Sequence, residues 1–290
     1  MIVDYSAGWI PKSACTVFYF KIARRNNKMD SFTALTSYYS NYDEEGRLLT
    51  RYGQVEYLTT MRYIEKYLRG GMRVLEIGAG TGRYSLSLAA QGYQVDAVEL
   101  VAHNIDIFRT HIADSMNVTV SQGNALDLSA IADDTYDITL LLGPMYHLFT
   151  EADQHKALSE AIRVTKSGGV IFAAYCGNDS TMLQFCFHQG MITDDRYKAL
   201  IDFETFKTSS NPEVLFQLYR KEDIDALMEC FDTERLHYIG TDMATKYMQD
   251  TIDAMSDEVY RLYLDYHFVI CERADMVGIS HHILDVFRKN

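Results

Sequence analysis

Glu76, Gly78, Gly80 and Gly82 stand at alternate positions where the apolar run of residues 74–77 gives way to a helical pattern. Glycines at this spacing let the backbone turn sharply and leave no side chains to keep a ligand away. The free N–H groups of the helix that follows then face that ligand. A strand expected over residues 94–100 carries Glu99 at its end, seventeen residues beyond Gly82. A carboxylate there can accept hydrogen bonds from both hydroxyls of a ribose, a role also found in dinucleotide enzymes. A later apolar run, residues 138–142, opens into Gly143-Pro144-Met145-Tyr146-His147. Imidazole titrates in the range that suits a general base, so Tyr146 and His147 are the catalytic candidates. A glycine-rich loop that holds nothing is the competing reading of the first motif, and a plain surface glutamate that of Glu99.

The spacing separates two kinds of nucleotide site. A dinucleotide fingerprint requires G-x-G-x-x-G, and Arg83 occupies the place of its third glycine. The pattern E-x-G-x-G-x-G resembles motif I of the class I S-adenosylmethionine (SAM)-dependent methyltransferases, and the resemblance runs from about residue 72 to 175. It implies SAM as cofactor, cradled by Glu76, Gly78, Ala79, Gly80 and Gly82. Glu99 is then expected at the ribose and Asn124 at the adenine, with Leu100, Ala125, Leu126, Leu142 and Gly143 as further cofactor contacts. Such proteins usually carry Asp where this chain has Asn124; an amide can still accept from the adenine amine and donate to the ring. The resemblance also places Tyr146 and His147 at the acceptor, and Tyr38, Tyr39 and Tyr42 in a cap that closes over it. The Asn-Pro-Pro-Tyr signature of many nucleic-acid and protein amino-group methyltransferases is absent, which favours an O or N atom of a small molecule. An NAD-linked oxidoreductase and a non-catalytic SAM-binding protein are the alternatives.

These residues need elements to hold them. Tyr57, Leu58, Met61, Ile64 and Leu68 predict a helix over 53–69, ended by Gly70-Gly71. Strands are expected at 94–100, 118–121, 137–143 and 170–175, with helices over 84–91, through Ile105, Phe108 and Ile112, and through Leu158, Ala161 and Ile162. Thr150 with Asp153 resembles a capping box for the last of these. This βαβ alternation predicts an α/β, doubly wound, mostly parallel Rossmann-like sheet, and the resemblance implies seven strands. Further on, helices are expected over 181–188, 194–206 and around Ile224–Phe231, then a strand at 235–240. Met248, Ile252, Met255, Val259, Leu262 and Tyr266 read as one long apolar stripe, and the resemblance implies that 283–287 is the last strand, inserted antiparallel. The expected division is a leader (1–28), a helical cap (29–70), a SAM-binding core (71–175), a lid insertion (176–232) and the remainder of the core sheet (233–290).

Composition narrows the partners. A net charge of −13 argues against nucleic acid, which requires clustered Lys and Arg. The five cysteines, at 15, 176, 186, 230 and 271, show no C-x-x-C or other metal-ligand spacing. They read as reduced thiols of a cytoplasmic protein. His281-His282 are adjacent rather than at i, i+4, and no H-E-x-x-H occurs, so no metal is expected. No apolar run approaches the ~18 residues of a membrane helix. In the leader, Arg24, Arg25 and Lys28 follow the apolar run instead of preceding it, unlike an export signal.

Overall fold

The structure, a computed structural model, describes residues 31–40 and 44–290. The leader and Tyr42 lie outside the described residues. Helices α1 (Ser31–Tyr39), α2 (Glu44–Leu49) and α3 (Arg51–Tyr67) come first. Thr50 starts α3 by accepting a hydrogen bond from the Gly53 N–H at 3.1 Å. The nucleotide-type core follows as β1 (Arg73–Ile77), α4 (Arg83–Ala90), β2 (Gln94–Glu99), α5 (Ala102–Thr110), β3 (Val118–Gln122), β4 (Tyr136–Leu141), α6 (Glu151–Val164) and β5 (Thr165–Gly177). Thr150 caps α6 through the Asp153 N–H at 3.1 Å.

Next come α7 (Asn178–Thr181), a π-helical turn (Met182–His188), α8 (Asp195–Lys198), the short hairpin β6 (Ile201–Asp202) and β7 (Lys207–Thr208), β8 (Leu218–Tyr219) and α9 (Lys221–Met228). The chain finishes with β9 (Thr233–Gly240), α10 (Gln249–Asp253), α11 (Asp257–Ile270) and β10 (His282–Lys289). The sheet order is β3-β2-β1-β4-β5-β10-β9. β1 to β5 run parallel, and β10 runs antiparallel between β5 and β9. β8 adds two residues beside the end of β5.

Alternation along the strands builds two cores, one on each face. Leu75, Ile77, Leu141, Ile171, Ala173 and Phe287 meet α6 and α9 through Leu158, Ala161, Ile224 and Leu227. Val74, Ile138, Leu140, Phe172, Leu284 and Val286 meet α3 and α4 through Met61, Ile64 and Leu88. Among the described residues no helix is long and apolar enough to cross a membrane.

Two expected elements are corrected. The helix expected over 194–206 is one turn, α8, followed by the β6–β7 hairpin. Asp202 makes the difference: Oδ1 accepts from the Glu204 N–H at 3.0 Å and Oδ2 from the Thr205 hydroxyl at 2.7 Å. These bonds fold the backbone into a turn that ends with Phe206 in the left-handed region, at φ +54°. The long stripe over 248–266 is broken as well, because Ser256 caps α11 through the Val259 N–H at 3.4 Å and starts a new helix. Ile252 is buried, whereas Val259, Leu262 and Tyr266 are 48%, 53% and 56% exposed. Periodicity alone did not distinguish an inward face from an outward one.

Candidate active site

The carboxyl ends of β1, β2 and β4 converge on a cavity of about 500 Å³. Its floor is the glycine turn, where Gly78, Gly80 and Gly82 all have φ in the left-handed region, at +76°, +55° and +90°. A β-carbon on Gly78 would collide with the Pro144 ring, and one on Gly82 with the Phe108 ring. At Gly80 the same atom would meet nothing within 4 Å. Among these three glycines, Gly80 is therefore the one with open space where a side chain would stand.

Glu99 fastens this turn. Its Oε2 accepts from the Gly80 N–H at 2.8 Å, and its Oε1 from the Val101 N–H at 2.9 Å and the Asn104 amide at 3.2 Å. The carboxylate is buried yet reaches the cavity wall, with one acceptor site remaining on Oε2. Glu76 is also buried on this wall and accepts from the backbone N–H and the hydroxyl of Ser85. Burial pushes its carboxyl up to about 8, only partly opposed by the two bonds from Ser85.

Fourteen expected site residues line this one cavity: Glu76, Gly78, Ala79, Gly80, Glu99, Leu100, Asn124, Ala125, Leu126, Leu142, Gly143, Tyr146, His147 and Tyr39. Asn124 spends its amide oxygen on the Leu126 N–H at 3.0 Å, which leaves the NH₂ end for a ligand. Two others do not reach the wall. Gly82 packs against Phe108, and Tyr38 is buried with Ala34 and Leu215.

The loop after β4 is tied into both flanking segments through His147. Its Nδ1 lies 2.9 Å from the Leu215 carbonyl, which must accept, so Nε2 accepts from the Tyr39 hydroxyl at 2.9 Å. Burial pulls the imidazole down to about 4, against the opposing pull of the Leu215 carbonyl. The ring is thus neutral near pH 7, with both nitrogens engaged. A proton leaving an acceptor would reach it only by way of Tyr39. Tyr146 bonds the Leu142 carbonyl at 3.0 Å and stacks on Phe216, with ring centres 5.8 Å apart.

The cavity also contains residues that sequence reasoning passed over. Arg83 lines it with its guanidinium carbon 4.6 Å from the centre of the Tyr57 ring, and its buried Nε has no hydrogen-bond partner. The absent third glycine marked that position but gave it no role. Glu56 from α3 and His282 from β10 share another wall with Thr60 and Thr241. His282 Nδ1 is 2.8 Å from Asp242 Oδ2 and 3.2 Å from Glu56 Oε2. Burial disfavours a charged ring there, but the two carboxylates outweigh it and push the imidazole up to about 10. These three residues come from segments far apart in sequence, so no local spacing announced them.

Residues 74–169 match a family model described as a methyltransferase domain. The chain is 34% identical over 102 residues to a demethylmenaquinone methyltransferase of Clavibacter sepedonicus, covering 35% of this chain and 40% of that protein. It is 28% identical over 151 residues to a ubiquinone biosynthesis O-methyltransferase of Idiomarina loihiensis, covering 49% and 56%. The chain thus spans about half the length of the curated relatives it matches. In fold it is similar to a Thermotoga maritima structure described as a SAM-dependent methyltransferase and possible histamine N-methyltransferase. That likeness has a TM-score of 0.55 at 17% identity, over 90% of this chain and 100% of the other. With a sheet of this order and a glycine turn fastened to a carboxylate at the end of β2, residues 74–169 carry a methyltransferase domain of the kind that family model describes.

Proposed function

We propose that the protein moves the methyl group of SAM to an O or N atom of a small molecule. The observation that carries this reading is the bond from the Gly80 N–H to Glu99, which sets a carboxylate suited to a ribose beside a cavity-lining turn position with open space above it. Adenine would lie against Leu100 and residues 124–126, and the methionine moiety would run along the turn. Arg83, whose Nε lacks a partner, would take the methionine carboxylate. Glu76 would face the cationic part of the cofactor.

The methyl group would then point toward Gly143, Tyr146 and Tyr39. In the transfer the acceptor's lone pair forms the new bond to the methyl carbon as the carbon–sulfur bond breaks, and any proton on the accepting atom passes to solvent. The sulfur keeps that electron pair and becomes the neutral thioether of S-adenosylhomocysteine. The sulfonium supplies the driving force, so alignment and exclusion of water are the protein's main contributions. An imidazole held near 4 is a weak proton acceptor, and this favours His147 as the residue that orients Tyr39. Aromatic side chains at the acceptor end (Phe32, Tyr39, Tyr146) suit a flat, partly apolar acceptor. The quinone-pathway names of the relatives agree with that chemistry.

We also propose that residues 29–70 act as a cap and 176–232 as a lid, that the protein works in the cytoplasm, and that it does not bind nucleic acid. Calorimetry with SAM, S-adenosylhomocysteine and NAD tests the cofactor. A screen of phenols, catechols and amines with SAM tests the transfer. Binding of NAD with no response to SAM would overturn the reading.

A further inference from the structure

We infer that Glu56, Asp242 and His282 form a divalent-cation site on the wall of the cavity, a role independent of which cofactor the glycine turn holds. One ligand atom from each residue lies within 4.8 Å of the other two. The three residues arrive from different elements: Glu56 from the middle of α3, Asp242 from the segment after β9, and His282 from the first position of β10.

The spacing suits an ion. Adjacent ligands at about 2.1 Å from a six-coordinate ion stand about 3.0 Å apart. The two edges that meet at His282 Nδ1 measure 2.8 Å, to Asp242 Oδ2, and 3.2 Å, to Glu56 Oε2. Two carboxylates with one imidazole are a donor set for Mg²⁺, Mn²⁺, Fe²⁺ or Zn²⁺.

The ligand geometry is also fixed from behind. Asp242 Oδ1 accepts from the Ser280 hydroxyl at 2.7 Å and from the His281 and His282 backbone N–H groups at 2.8 and 3.1 Å. Those bonds turn Oδ2 toward the site and hold the strand that carries His282, the kind of outer support that bound metals use. Cys176 and His281 lie close to His282 on another side. They group with His282 but not with Glu56 and Asp242, so they are not assigned as ligands of this site.

Glu56 and His282 line the cavity. The open positions of the ion would therefore face whatever is bound there, and an oxygen donor, such as a hydroxyl, carboxylate or water, would complete the shell. A proton shared between His282 and the two carboxylates is the competing occupant of the same space.

The test uses the full chain, freed of metal with a chelator and titrated with Mn²⁺ in the absence of SAM. Loss of the free-ion electron paramagnetic resonance signal should report one bound ion per chain. Glu56→Gln and His282→Gln should each weaken binding by more than about tenfold. Nitrogen modulation of the bound Mn²⁺ signal in the unaltered protein gives a second readout of imidazole ligation that does not depend on either variant folding. Failure of the chain to bind Mg²⁺, Mn²⁺, Co²⁺ or Zn²⁺ at millimolar concentration would overturn the assignment in favour of the shared proton. Equal binding by folded variants, or bound Mn²⁺ without nitrogen coupling, would do the same.

Discussion

At the scale of single residues, the two carboxylates flanking the glycine turn are held in opposite ways. Glu99 takes three protein hydrogen bonds, whereas burial dominates at Glu76 and lifts it to about 8. Free protein at pH 7 therefore keeps most of Glu76 protonated, and a cation bound beside it favours the ionised form. SAM binding at pH 7 should release close to one proton, and affinity should rise with pH until about 8. Calorimetry in two buffers of different ionisation enthalpy measures the release, and it should vanish in Glu76→Gln. Glu99 calls for a more careful substitution. Glu99→Ala would leave the Gly80 and Val101 N–H groups without their acceptor and cost about 1–3 kcal/mol of stability for each buried group left unpaired. Glu99→Gln keeps one acceptor oxygen and should weaken SAM binding with a smaller fall in melting temperature. Gly80→Val, at φ +55° and facing the cavity, should abolish SAM binding because it combines backbone strain with a blocked surface. Normal SAM affinity in both Glu99→Gln and Gly80→Val would place the cofactor elsewhere.

At the scale of elements, His147 is the knot between the loop after β4, the α1 tyrosine and the segment bearing Leu215. Burial holds its folded value near 4, below the ordinary 6.5. Between those two values the unfolded chain binds a proton that the folded chain refuses, so stability is present above pH 6.5 and is lost as pH falls toward 4. Melting curves across that window should fall more steeply for the unaltered protein than for His147→Gln. Turnover, once an acceptor is known, should show no break between pH 5 and 7 that His147→Gln removes; such a break would restore the histidine as base. The same residue shows what the sequence could disclose. Gly143-Pro144 after a buried strand located the loop at the ligand end of the sheet, but nothing nearby indicated that Leu215 and Tyr39 would occupy both ring nitrogens. Likewise Glu76, Gly80 and Glu99 were legible because strand, turn and helix are local patterns. Glu56, Asp242 and His282 were not, because only the closed sheet brings them together. The 194–206 segment failed for another reason: side-chain bonds from Asp202 overruled an apolar spacing that suits a helix.

At the scale of the whole molecule, the parallel half of the sheet was readable strand by strand, and the antiparallel entry of β10 was expected from family resemblance alone. That entry places residues 282–289 inside the sheet, with β5 on one side and β9 on the other. Removing them should leave two unsatisfied strand edges and a chain that collects in the insoluble fraction; a soluble, SAM-binding truncation would show that β10 is dispensable. The position of β10 also sets a timetable on the ribosome. Tyr175 of β5 pairs with Ile283 of β10, and the intervening stretch of about 100 residues takes roughly 5–20 seconds to synthesise at ~5–20 residues per second. For that interval β1 to β5 can form while most of the outer edge of β5 has no strand to pair with. The nascent chain therefore passes through a stage at which it is a substrate for chaperones, and clusters of slow codons between 178 and 281 would prolong its exposure.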